Sequence, residues 1–332
     1  MRSNNTKPKK PYVLRKPDGS IAAGTLTYSF RKPKPGDWIE VINENTEYRN
    51  PTSYTNTVRV TYPNAVSAQA FGEYTKKFLK NLGYASNNTL MSLSVCADDV
   101  NAPNFPNVDN LGQHPLSLNN FLGPFMSGGL AGYPHTGVLG LQAWASHITA
   151  NGSLFLTNMP HIGISQTGNV GRMWRRGKTQ AESLTDNTCG AVVTAAQWVM
   201  TNTTSGSAPV RGSGVFANND QYYTLASILY TYKAPLCSTP YNFVLDSTKY
   251  GAGVKLATEY IRADADTFLT GASGIVAANV GSNVDVFFCS GTFINTDDGY
   301  EAYIDVNKFE KYNSTTGWST TLTALFKAGL PK

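Results

Sequence analysis

The side chains in this sequence with the strongest claim on chemistry are two cysteines and a histidine, Cys96, His161 and Cys189. Thiolate sulfur and imidazole nitrogen are favoured zinc donors, and catalytic zinc sites take three protein ligands and keep one position open. No short motif gathers them: there is no C-x-x-C pair and no H-E-x-x-H. On residue type alone, a cysteine at a strand end is more commonly a small core residue than a ligand. The same is true of a lone buried histidine. Whether the three can meet therefore depends on the elements that carry them.

Those elements read as follows. Residues 90–95 form a short apolar run consistent with a buried strand, and Cys96 ends it. Residues 153–157 read as a second strand, with Pro160 and His161 just beyond. Cys189 and Gly190 open a small-residue apolar run at 191–200 that predicts a helix. Strand carboxyl ends and helix N-termini converge on one edge of an α/β sheet, and a helix N-terminus favours a thiolate. Cys96, His161 and Cys189 can thus meet although they lie far apart in the chain.

The rest of the chain alternates similarly. A helix is expected over 65–82, where Val66, Ala70, Phe71, Tyr74, Phe78 and Leu82 recur mostly at three- and four-residue steps before Gly83. Further helices are expected at 138–148, 222–232 and 256–263, and strands at 284–289 and 302–306. Residues 21–30, 38–42 and 56–62 read as short strands, with Pro33 to Gly36 as a turn. Residues 101–120 are rich in Asn and Pro and read as a loop. The glycines that follow, Gly123, Gly128, Gly129, Gly132, Gly137 and Gly140, indicate close backbone packing or positive φ. They match no G-x-G-x-x-G fingerprint. The alternation favours an α/β domain with a central sheet over 65–332, preceded by an extension at 1–64 made of a basic tail and short strands.

Composition narrows the classes. Hydrophobic residues make up 41% of the 332-residue chain, enough for a sizeable core. No apolar stretch is long enough to span a membrane. The net charge of +5 resides largely in Arg2, Lys7, Lys9, Lys10, Arg15 and Lys16. The remainder is close to neutral, and no aromatic–basic motif accompanies the tail, which argues against a nucleic-acid binder. With four cysteines, Cys96, Cys189, Cys237 and Cys289, the chain is no disulfide scaffold and suits a reducing compartment. His114, His135 and His147 read as structural or exposed, Cys237 and Cys289 as buried thiols, and Trp144, Trp174 and Trp198 as packing residues.

Several blocks of text, in one order, resemble the limiting-CO2-inducible protein B/C family. Cys96-Ala97-Asp98-Asp99 resembles its C-x-D-E block, and Gly128-Gly129-Leu130-Ala131-Gly132-Tyr133-Pro134 its G-G-L-A-G-F-P segment. Pro160-His161-Ile162-Gly163 is similar to its P-H-x-G motif. Arg175-Arg176-Gly177 and Cys189-Gly190-Ala191 follow in the family's order, and Gly291 to Thr296 matches its G-x-x-I-N-T strand. The likeness runs from about residue 65 to 312.

The resemblance implies a β-carbonic-anhydrase-like fold and one Zn2+ held by Cys96, His161 and Cys189. It implies reversible hydration of CO2 to bicarbonate by a zinc-bound hydroxide, helped by an Asp–Arg dyad whose acid is Asp98. In ordinary β-carbonic anhydrases the arginine follows that aspartate by two; here the position is Val100, so the arginine must come from elsewhere. Arg175 and Arg176 are the foremost candidates, with Arg172 behind them. The family's glutamate is the shorter Asp99 here. The resemblance further implies a homodimer or higher homo-oligomer and a plastid stroma or pyrenoid setting. Two other readings carry the same residues: a non-catalytic zinc-fold member that binds bicarbonate or serves as a structural partner, and an unrelated zinc hydrolase, whose general-base motif is not visible.

Overall fold

The structure, a computed structural model, describes residues 51–84, 89–96, 122–126, 129–134, 152–173, 186–202, 206–271, 274–280, 284–297, 301–313 and 316–331. The strands expected at 21–30 and 38–42, the loop at 101–120 and the helix at 138–148 lie outside the described residues.

In chain order the helices are α1 (Pro51–Thr61), α2 (Ala68–Asn81), α3 (Gly190–Asn202), α4 (Asp220–Thr231), α5 (Lys233–Leu236), α6 (Tyr250–Thr270), α7 (Ile275–Asn279) and α8 (Thr321–Gly329). The strands are β1 (Val66–Ser67), β2 (Thr89–Val95), β3 (Leu122–Met126), β4 (Ser153–Met159), β5 (His161–Gly163), β6 (Arg172–Met173), β7 (Asp186–Asn187), β8 (Asp285–Asn295), β9 (Tyr303–Asn313) and β10 (Gly317–Ser319). The main sheet runs β1-β9-β8-β4-β2-β3, with β10 on β9 and β5 on β8. Its middle is parallel, since β2 pairs in parallel with β3 and β4, and β4 with β8. The β9 and β1 side is antiparallel. The protein is thus mixed α/β, with a central sheet flanked by helices.

Both sheet faces are covered, and this explains the continuous apolar runs of the parallel strands. Phe155, Met159, Phe287 and Cys289 point into a cluster with Phe71, Phe78 and Leu79 of α2 and Phe326 of α8. Leu154, Leu156, Val286 and Phe288 point the other way, onto Leu269 of α6, Val276 of α7 and Val280 just after α7. Each such large side chain is worth about 1.5–3 kcal/mol of burial. A third cluster joins α1, α3, α4 and α6 and encloses Cys96, Ala131, Ile162 and Cys189.

Sequence and structure part at α1. The stretch expected as a strand at 56–62 is helical as far as Thr61; Tyr54 and Val58 are buried on the inner face of α1, and Tyr62, buried just past its end, continues the four-residue step. The Thr- and Val-rich composition favours a strand, but the burial period is helical. The expected helix over 65–82 begins later, at Ala68, because Val66 and Ser67 pair with β9. Ser67 then caps α2, its hydroxyl accepting from the Ala70 amide at 3.1 Å. Gly83, at φ 90°, follows the helix end.

Candidate metal centre

The three candidate ligands are brought together by three different chain terminations. β2 and β4 run in register to the pair Val95 and Met159, and Cys96 is the next residue after β2. Pro160 interrupts the strand after Met159, because proline has no amide to donate to a ladder. Its carbonyl instead accepts from the Phe293 amide at 3.0 Å. The chain resumes as β5, with His161 opposite Phe293 of β8. Cys189 stands directly before α3, its carbonyl accepting from the Val193 amide at 3.2 Å in the first turn. The helix dipole there favours a negative sulfur. All three residues are buried, and one donor atom from each lies within 4.8 Å of the others.

The surroundings fit a soft, divalent cation. His161 Nδ1 is 2.7 Å from Asn295 Oδ1, an amide oxygen at the end of β8. That oxygen has no proton, so Nδ1 carries the hydrogen and donates it, and the imidazole lone pair sits on Nε2. An outer partner of this kind is what orients a metal-binding histidine. The Ala131 amide donates to Cys96 Sγ at 3.1 Å, and such a donor stabilises a thiolate. Two thiolates and one neutral imidazole offset the charge of a divalent ion, so the centre can lie in the apolar cluster without a net buried charge.

Two glycines make the convergence sterically possible. Gly132, at φ 77°, lies against β2: a Cβ there would be 3.1 Å from both the Cys96 nitrogen and the Val95 carbonyl carbon. Its own carbonyl accepts from Ser94 Oγ at 2.6 Å. At Gly163 a Cβ would fall 1.7 Å from Thr188 Oγ1, so only glycine lets β5 approach the segment that delivers Cys189. Tyr133 completes the loop: its hydroxyl donates to Asp264 Oδ2 of α6 at 2.7 Å. Burial, and secondarily that carboxylate, push the Tyr133 phenol well above its usual range, so it stays a donor.

Asp98, Asp99, Arg175 and Arg176 lie outside the described residues, so the expected Asp–Arg pair is not among the contacts seen. Arg172, the reserve candidate, stands with its guanidinium 4.5 Å from the Tyr250 ring centre. Cys289 is buried in the α2-facing cluster, and burial raises its thiol pKa; Cys237 is half-buried. Trp198 packs edge-on against Phe216. Trp144, Trp174, His114, His135 and His147 fall outside the described residues. The sequence reading assigned no role to Asn295 or Tyr133, although both stand in blocks it singled out.

A sheet with a parallel middle thus brings Cys96 at the end of β2, His161 at the start of β5 and Cys189 before α3 into one buried cluster. The family model described as limiting CO2-inducible proteins B/C beta carbonic anhydrases matches residues 65–313, and the chain belongs to that family. The crystal structure of PtLCIB4, a homolog of the limiting CO2-inducible protein LCIB, superposes with a TM-score of 0.60 at 24% identity, covering 80% of this chain and 98% of that one. The crystal structure of LCIB itself gives a TM-score of 0.51 at 17% identity, covering 78% of this chain and 94% of that one. At these identities the two likenesses bear on the fold. A search of curated proteins returns no match.

Proposed function

We propose that the chain binds one zinc ion on Cys96, His161 and Cys189 and catalyses the reversible hydration of CO2 to bicarbonate. The observation that carries this reading is the convergence of three buried donor atoms of zinc-preferring type within 4.8 Å. When bound, zinc supplies a Lewis acid that lowers the pKa of water from about 15.7 to about 7.

The chain's own residues do the rest. Cys96 and Cys189 neutralise the ion's charge, and His161, held by Asn295, completes a three-ligand set. Ala131, Ile162, Val192 and Val193 belong to the same buried apolar cluster as the two cysteines, surroundings compatible with CO2, which has no dipole. Asp98, two residues beyond Cys96, takes the role of proton acceptor by family resemblance, with Arg175 or Arg176 as its partner. A dimeric or larger assembly and a plastid or pyrenoid setting follow from the same resemblance.

The decisive test is stopped-flow CO2 hydration on protein of measured zinc content, beside Asp98→Ala. The expected outcome is stoichiometric zinc in both, with hydration reduced by about 10²-fold or more in the variant, the range for a positioned proton-transfer group. Zinc-loaded wild-type protein without hydration activity would replace this reading with the bicarbonate-binding, non-catalytic one. The valine at position 100 is the feature that favours that rival.

A further inference from the structure

We propose that Tyr133 and Asp264 are positioning residues for the metal centre: their hydrogen bond pins the loop whose backbone amide binds the Cys96 sulfur. The inference rests on the zinc reading above and adds a control on that site from α6.

The loop is short and held at several points. The Gly129 amide donates to the Tyr133 carbonyl at 3.0 Å and the Gly132 amide to the Gly129 carbonyl at 3.1 Å, which closes the turn. Within it Ala131 adopts the left-handed region, φ 57° and ψ 14°, which a residue with a Cβ takes up only at a cost. A turn so strained persists only where its surroundings over-determine it. On the β2 side the surroundings are Ser94 Oγ, which donates to the Gly132 carbonyl at 2.6 Å, and the Cys96 sulfur, which accepts the Ala131 amide at 3.1 Å. On the far side the anchor is Tyr133. Its hydroxyl donates to Asp264 Oδ2 at 2.7 Å, and its ring lies 5.8 Å from that of Phe268, one helical turn further along α6. A phenol donating to a carboxylate makes a charge-assisted bond, stronger than a neutral one. Tyr133 is only 8% exposed, so water competes poorly for it.

The chain of contacts therefore runs from α6 through Asp264, Tyr133 and Ala131 to Cys96. An amide donating to a metal-bound thiolate fixes the sulfur's direction, disfavours its protonation and draws charge from it, so its loss speeds release of the ion and also makes the sulfur easier to oxidise. Without the Tyr133 hydroxyl, the left-handed turn can relax and the amide withdraws from the sulfur. Ring packing on Phe268 remains in Tyr133→Phe, so the fold is retained while the anchor is lost.

The test uses the full chain loaded with Zn2+ and, separately, with Co2+ as a spectroscopic probe. Wild-type protein that takes up neither ion stoichiometrically would overturn the zinc reading itself. Given loading, Tyr133→Phe and Asp264→Ala are each expected to release the ion to a chelator about tenfold faster. Each is also expected to move the thiolate-to-cobalt charge-transfer band to longer wavelength, because a sulfur with one donor fewer is more easily oxidised. The double variant should match either single one, as members of one chain of contacts do. Asp264→Asn, which keeps an acceptor oxygen, should restore most of the wild-type behaviour. An unmoved cobalt band, or release rates that multiply in the double variant, would overturn the positioning role while leaving the metal site intact.

Discussion

Asn295 accepts the Nδ1 proton of His161, which leaves the imidazole lone pair on Nε2 and helps to orient the ring. Asn295→Ala should weaken zinc binding about 10- to 100-fold in chelator competition, the usual range for an outer partner of a metal ligand. Gly163→Ala tests the steric side of the site. The added methyl would meet the buried Thr188 side chain at 1.7 Å, with the Arg172 carbonyl at 3.0 Å behind it. Zinc content of the purified variant should fall well below stoichiometric, and stability by about 1–3 kcal/mol in urea, as overpacking does. At this scale the sequence was partly legible. Cys96, His161 and Cys189 could be named from family text, since their side chains are intrinsic ligands. Asn295 could not be given its role, because its partner lies 134 positions away and an amide advertises no metal chemistry of its own. Gly163 was legible as a motif letter; its reason, the close pass of Thr188, is a fact of tertiary packing.

Among the elements, the break at Pro160 does the most for the site. It separates β4 from β5 while both stay beside β8, so the histidine emerges where the parallel ladder is interrupted. Strands β2 and β4 and helix α3 were readable from short apolar runs bounded by Pro, Gly or Cys. Helix α1 was not, because its β-branched residues favoured a strand while burial of Tyr54, Val58 and Tyr62 set a helical period. That helix is tied to the site's strands through one phenol. The Tyr54 hydroxyl donates to the Ile164 carbonyl just after β5 and accepts from the Asp297 amide just after β8 at 3.0 Å. Tyr54→Phe would deprive two buried backbone groups of this partner and is expected to cost about 1–3 kcal/mol, read from the urea midpoint at unchanged slope.

For the whole molecule, the coverage of both sheet faces ties global stability to the centre. Cys96 and Cys189, the two candidate sulfur ligands, belong to the cluster shared by α1, α3, α4 and α6, so an ion bound to the folded site would also stabilise the fold. At a free zinc concentration 100 times the dissociation constant the gain is about 2.7 kcal/mol. Stripping the metal with a chelator should accordingly lower the thermal midpoint, and zinc, but not magnesium, should restore it. The α/β class was legible at this scale from alternating periods. The sheet order was not, because β8 and β9 enter the middle of the sheet from far along the chain.

The residue-for-residue alignment of β2 with β4 up to Val95 and Met159 has one more consequence. Sliding either strand by a single step would displace its terminal donor by about 3.3 Å and turn it to the opposite side. A mis-threaded polypeptide would then present no three-donor cup. The ion-to-polypeptide ratio after refolding would serve as a census of correctly threaded molecules, read by elemental analysis alone.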